Sequence, residues 1–163
     1  MRKTLRLVVC LSFLALPWSA CAALCGLILC NCTASTTSVA FGSYNPLSPA
    51  NHDGTGAITV SCTGVGLIIS YTIALDTGGG GSYLPRKMVS GVNHLNYNLY
   101  TDNTYSTIWG NGIGTGTVSY AMSLLLIGSD SKEHVVYGRM PGSQSTVAPG
   151  TYTDTVHVTV TYN

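Results

Sequence analysis

The last twelve residues constrain the fold of this chain more than any other stretch. Tyr152, Val156, Val158, Val160 and Tyr162 fall on one side of a period-two pattern, and Thr153, Thr155, His157, Thr159 and Thr161 on the other. Asp154 shares the apolar side, which places it at the beginning of the strand. Successive side chains leave a pleated backbone on opposite faces, so this alternation of β-branched, aromatic and polar residues marks a half-buried strand. The same period recurs at residues 57–62, 69–75 and 95–99, and Met122 to Gly128 is one continuous apolar run suited to a core strand. Clusters rich in Gly, Pro, Asn and Asp separate these segments at 45–56, 76–82, 110–116 and 141–150. No window combines a helical apolar period with caps. Seven or so short strands with turns between them predict an all-β fold, a β-sandwich, with no internal repeat, linker or second domain.

Composition agrees. Only 8% of the 163 residues are charged, against about 25% in an average soluble domain. Coiled coils and charge-rich disordered tails need the Lys, Arg and Glu that are scarce here. Seven Lys and Arg against six Asp and Glu cannot supply the basic face that neutralises phosphates, so no nucleic-acid partner is expected.

Residues 1–22 read as a cleaved signal peptide. Arg2, Lys3 and Arg6 precede an apolar run from Leu7 to Leu16, Pro17 breaks it, and small residues follow at Ala20, Ala22 and Ala23. The run is shorter than the roughly 20 residues a bilayer span needs. Cleavage is placed after Ala22, with Ala23 the next choice, and a lipid-attachment reading at Cys21 is weakened by Trp18. The mature chain then holds four Lys and Arg against six Asp and Glu, a net charge of −2. It keeps Cys25, Cys30, Cys32 and Cys62, an even number that in an exported chain points to two disulfides with three connectivities open.

None of the candidate chemical motifs outweighs its plainer reading. Asp76-Thr77-Gly78 follows apolar residues as a protease aspartate would, but that chemistry needs two carboxylates sharing a proton. Four consecutive glycines at 78–81 also oppose a rigid catalytic loop, so a strand ending in a turn is expected. Gly110 to Gly116 lacks the G-x-G-x-x-G spacing and reads as a hairpin loop. His52, His94, His134 and His157 are dispersed, each expected on a polar strand face or in a loop. Asn31-Cys32-Thr33 fits a glycosylation sequon, relevant only in a host that uses it. No enzyme, metal, cofactor or small-molecule substrate is expected.

A distributed pattern is more informative. It runs through Cys32-Thr33, Phe41-Gly42-Ser43-Tyr44, Gly56-x-Ile58-x-Val60-x-Cys62 and Tyr71-x-Ile73-x-Leu75-Asp76. It continues through Arg86-x-Met88, Leu95-x-Tyr97-x-Leu99-Tyr100-x-Asp102, Trp109-Gly110 and Tyr137-Gly138, and closes on Gly150-x-Tyr152-x-Asp154-Thr155-Val156. In order and spacing this resembles the spore coat protein U domain family, which includes the pilin subunits of archaic chaperone–usher pili. The resemblance implies an immunoglobulin-like β-sandwich over residues 32–163 that lacks a strand and is completed by a donor strand. It implies a structural subunit of a surface pilus, or fimbria, supporting adhesion and biofilm formation, exported through the periplasm to the cell surface. Its partners would be a periplasmic chaperone, an outer-membrane usher and other pilin subunits. The alternatives are a non-polymerising spore coat or surface matrix protein, or an accessory adhesin subunit.

On the same resemblance Cys32 and Cys62 form the family disulfide, closing a loop of about 30 residues worth about 3–4 kcal/mol. Cys25 and Cys30 are left as a candidate second pair. Phe41, Tyr71, Tyr97, Trp109 and Tyr152 become core or strand-edge packing residues. Residues 23–31 supply the candidate donor strand through Leu24, Leu27, Ile28 and Leu29. Tyr152, Val156, Val158, Val160 and Tyr162 line the chaperone-contacting C-terminal strand.

Overall fold

The computed structural model describes residues 23–25 and 28–162; the signal peptide expected at 1–22 lies outside them. Seven strands are present, and no helix is found among the described residues: β1 (Ala23–Cys25), β2 (Ile28–Thr37), β3 (His52–Leu75), β4 (Arg86–Ser90), β5 (Asn93–Tyr100), β6 (Val118–Met140) and β7 (Val158–Tyr162). Hydrogen bonding follows the order β1-β2-β3-β6-β5-β4, with β7 on β3, and every ladder is antiparallel.

Two strands are far longer than the sequence suggests. The alternating stretches 57–62 and 69–75 belong to one 24-residue strand, β3, paired with the 23-residue β6. The ladder slips between Val65 and Leu67, where β6 carries one extra residue, a β-bulge that bends a strand and strengthens its twist. The inward side chains of β3 switch there from even positions (Ile58, Val60, Cys62) to odd ones (Ile69, Tyr71, Ile73, Leu75), while β6 keeps even positions inward (Met122, Val136, Met140). An apolar period that changes phase reads in sequence as two strands.

The bend folds this ribbon over on itself. Tyr71 stands thirteen positions along β3 from Ile58, the partner of His134, or ~43 Å in a straight strand. Its hydroxyl nevertheless lies 2.7 Å from His134 Nε2. The two halves of the ribbon therefore face each other as the layers of a sandwich. One layer holds β2 with the N-terminal half of β3 and the C-terminal half of β6. The other holds the remaining halves with β7.

Between the layers lies a continuous core of Ile58, Val60, Ile69, Tyr71, Ile73, Leu75, Leu95, Tyr97, Leu99, Trp109 and their neighbours. Trp109 is fully buried and donates from Nε1 to Ile73 O at 3.0 Å. Arg86 is fully buried too. Its guanidinium donates to Asp76 O, Trp109 O and Asn98 Oδ1 at 2.7–3.1 Å and stacks on the Tyr83 ring. Burial pulls its pKa below the ordinary arginine value, opposed by nearby Tyr97, Tyr83, Asp76 and Asp154.

Candidate binding groove

The sandwich is open along one side. The outer edge of β2 from Asn31 onward has no ladder partner among the described residues, and none joins residues 38–41 to the C-terminal segment. The C-terminal segment uses its other edge: Thr153 exchanges two backbone bonds with Val89 of β4, and His157 O accepts from Asp76 N. Between these two stretches runs a groove of ≈ 440 Å³. One wall includes Thr36, Thr37, Val39 and Phe41, the other Tyr152, Val156 and Val158, and Ile58, Leu75, Met88, Tyr97, Leu99 and Val136 form the floor. The floor side chains belong to the core, whereas Val39, Phe41, Tyr152, Val156 and Val158 are only half-buried against it. Two such unpaired edges above a floor of apolar core side chains are what an extended apolar segment needs: ladder partners on both sides and pockets for alternate residues.

The groove walls are set by side-chain acceptors. Asp154 Oδ2 accepts from the Tyr97 hydroxyl at 2.6 Å, and Oδ1 from Gly79 N and Thr155 N at 2.8 Å each. Tyr97 has its pKa raised by burial first and by this bond second. A Cβ at Gly78, where φ is +65°, would overlap the Asp154 carboxylate, so the glycine run lets a loop close over the segment. Asp76 Oδ1 accepts from Gly78 N and His157 N at 2.9 Å each. The Asp-Thr-Gly motif is thus a turn whose carboxylate ties down the C-terminal segment.

Those same acceptors shorten the C-terminal strand. Half-buried and exposed residues alternate strictly from Thr151 to Val160, following the expected faces, yet the ladder β7 occupies only Val158–Tyr162. Residues 152–157 are extended without a continuous ladder because Asp76 and Asp154 take up backbone donors there. Tyr152, Val156 and Val158 line the groove. Val160 and Tyr162 lie beyond it on β7, opposite Ile73 and Tyr71. Asn163 lies outside the described residues.

Cys32 and Cys62 are opposite each other on β2 and β3 and form a disulfide. Cys30 is 2% exposed and is disulfide-bonded as well; the Cys25 side chain is not among those described. β1 folds back on β2 with Ala23 opposite Cys30, Leu24 opposite Leu29 and Cys25 opposite Ile28. Of the candidate donor residues, Leu27 lies outside the described residues, and Leu24, Ile28 and Leu29 are described by this pairing alone. β2 begins at Ile28, so a boundary drawn at Cys32 falls inside a strand.

His134 departs from the expected polar face. It is half-buried between the layers, bonded to the Tyr71 hydroxyl and packed edge-on against Tyr71 and Tyr120. Burial, then the Lys132 charge, lowers its pKa, and burial pushes the Tyr71 hydroxyl up to about 12. The roles of Arg86 and His134 had no local signal, since their partners lie 10–23 and 63 positions away. Among the described residues, no group of three or more His, Cys, Asp or Glu converges to hold a metal.

The model of the Spore Coat Protein U domain family matches residues 20–159. This chain belongs to that family. Protein U of Myxococcus xanthus is 35% identical to it over 135 residues, covering 75% of this chain and 70% of that protein. Among solved structures, one similar chain is found in the CsuC–CsuE chaperone–tip adhesion subunit pre-assembly complex of archaic chaperone–usher Csu pili from Acinetobacter baumannii. The TM-score is 0.53 at 20% identity, over 82% of this Spore Coat Protein U domain chain and 40% of that one. That likeness concerns the fold: an all-β, immunoglobulin-like sandwich.

Proposed function

We propose that this chain is a non-enzymatic structural subunit of a surface pilus, assembled by the chaperone–usher route through donor-strand complementation. The observation that carries the reading is the apolar groove between residues 36–41 and 152–158, flanked by two extended edges that have no ladder partner among the described residues. A periplasmic chaperone would cover the groove first, and the N-terminal segment 23–31 of another pilin subunit would replace it at the outer-membrane usher. Membership of the Spore Coat Protein U domain family and the fold shared with a chain from a chaperone–usher pilus complex support it. In this reading the protein passes through the periplasm to the cell surface, where such fibres serve adhesion and biofilm growth.

The test is capture and exchange. The exported chain is co-purified with a candidate chaperone and then mixed with a synthetic peptide of residues 23–31. The expected result is a chaperone-free, peptide-loaded subunit. A charge in the groove wall, Val156→Asp, is expected to abolish capture while the circular-dichroism spectrum remains that of a β-sandwich. A peptide that never enters the groove, or capture unaffected by Val156→Asp, overturns the proposal.

A further inference from the structure

We propose that the outer face of the sheet formed by β3, β6 and β5 binds a neutral glycan, through Tyr100, Tyr105, Tyr137 and the Asp53–Arg139 pair. β6 keeps its even positions inward, so Tyr137 and Arg139 stand on its outer face. Their cross-strand neighbours include Tyr100 on β5, opposite Tyr137, and Asp53 on β3, opposite Arg139. Val136 between them lines the groove. The glycan site and the groove therefore use opposite faces of one strand and can be filled together.

The loop 101–107 supplies the third ring. Tyr105 has φ +58°, a left-handed backbone that a bulky side chain rarely adopts. Asp102 holds it there. Its carboxylate accepts from Thr104 N, Ser106 N and Thr107 N at 3.0–3.2 Å, and its carbonyl accepts from Tyr105 N at 3.2 Å. Strain of this kind persists only where the surroundings over-determine it, and it gathers at ligand clamps. The Tyr105 ring stands at 85° to Tyr100 and 82° to Tyr137, with centroids 5.4 and 6.4 Å away. The Arg139 guanidinium lies 3.5 Å from the Tyr105 centroid and forks onto Asp53 at 2.7 and 2.8 Å.

Perpendicular rings form a step, which suits a ligand with a flat apolar face and a polar rim. A hexopyranose with equatorial hydroxyls has that form, with axial C–H bonds on its faces and hydroxyls round its edge. Its face would lie on a tyrosine ring, which is apolar in the body and polar at the tip. Its rim would meet the ion pair. The fork uses Nε and Nη2 and leaves Nη1 on the other edge of the guanidinium, and it takes one lone pair from each Asp53 oxygen. The two charges cancel, which disfavours a polyanion. The surroundings disfavour a protein, which needs a wide apolar centre. Thr55 lies opposite Tyr137, and Thr101, Asn103, Thr104 and Ser106 follow the loop, all short hydroxyl or amide side chains.

The test is calorimetric titration of the exported chain with cellohexaose, a neutral β-linked glucan, and separately with dextran sulfate. The expected result is saturable binding of cellohexaose in the millimolar range and none of dextran sulfate. Tyr105→Gly removes the ring and keeps the left-handed backbone at no steric cost. It is expected to weaken binding roughly ten-fold with the circular-dichroism spectrum unchanged. Arg139→Lys, on a strand and independent of the loop, loses the fork and is expected to weaken binding several-fold. No binding by the native chain, or equal binding by both variants, overturns the proposal. Preference for dextran sulfate overturns it in favour of a polyanion. Unchanged sugar binding by Tyr105→Gly with chaperone capture or self-association lost assigns the face to a protein and overturns it as well.

Discussion

At the scale of single residues, the polar groups that shape the groove are joined across large sequence separations. Arg86 is the sharpest case, a buried cation satisfied by two backbone carbonyls and an asparagine oxygen. Arg86→Ala would strand the Asp76 and Trp109 carbonyls, while Asn98 Oδ1 keeps the Leu99 N–H, and each buried unsatisfied group costs about 1–3 kcal/mol. A loss of at least ~2 kcal/mol, read from urea unfolding, is the expected outcome. His134 gives a pH dependence. Its folded pKa lies below the ordinary 6.5, so the unfolded chain binds the proton more readily and stability falls as pH drops through that value. Tyr71, Tyr120 and Lys132 face it or act on it. Asp53, with its pKa lowered chiefly by its bond to Arg139, adds a separate loss at pH values below 3.8. His134→Gln should flatten the melting-temperature profile as pH falls from 7 through 6.5 and leave the acid limb in place.

At the scale of elements, the long β3–β6 ribbon depends on its bulge. The extra β6 residue keeps both halves of the ribbon facing one core even though β3 changes inward parity. Deleting Leu125 would remove that residue, and a one-residue slip turns a strand's apolar set toward solvent. The deletion is expected to yield insoluble protein. A soluble chain with an unchanged amide-exchange pattern would show that the bulge is dispensable. The Cys32–Cys62 bond ties β2 to β3 beside the groove wall. Its removal by the Cys32→Ser/Cys62→Ser pair should lower stability by about 3–4 kcal/mol, measured by chemical denaturation.

At the scale of the whole molecule, the sandwich is closed on one side and open on the other. On the closed side β4 meets the C-terminal segment through Val89 and Thr153; on the open side, among the described residues, no strand separates β2 from that segment. Deleting residues 23–29 is expected to leave chaperone capture intact and abolish fibre growth seen by electron microscopy. Normal fibres from that deletion would exclude this segment as the donor.

The low charge and period-two patterning were enough for an all-β chain, because alternation and β-branched content are local properties of a pleated strand. The alternating faces of residues 151–160 and the turn at Asp76 were legible for that reason, while the core positions of Tyr71, Tyr97 and Trp109 came with the family resemblance. The ordered motifs also carried the Cys32–Cys62 pairing and the family. Local pattern could not show that 57–62 and 69–75 are one strand, since a bulge shifts the phase without leaving a turn. Nor could it show that Asp76 and Asp154 break the C-terminal ladder, that His134 lies between the layers, or that Arg86 is buried. Each depends on a partner brought near by the fold of the ribbon, and such a contact has no period in the sequence. The groove has the same status: its two walls lie more than a hundred residues apart along the chain, and only the closing of the sandwich sets them side by side.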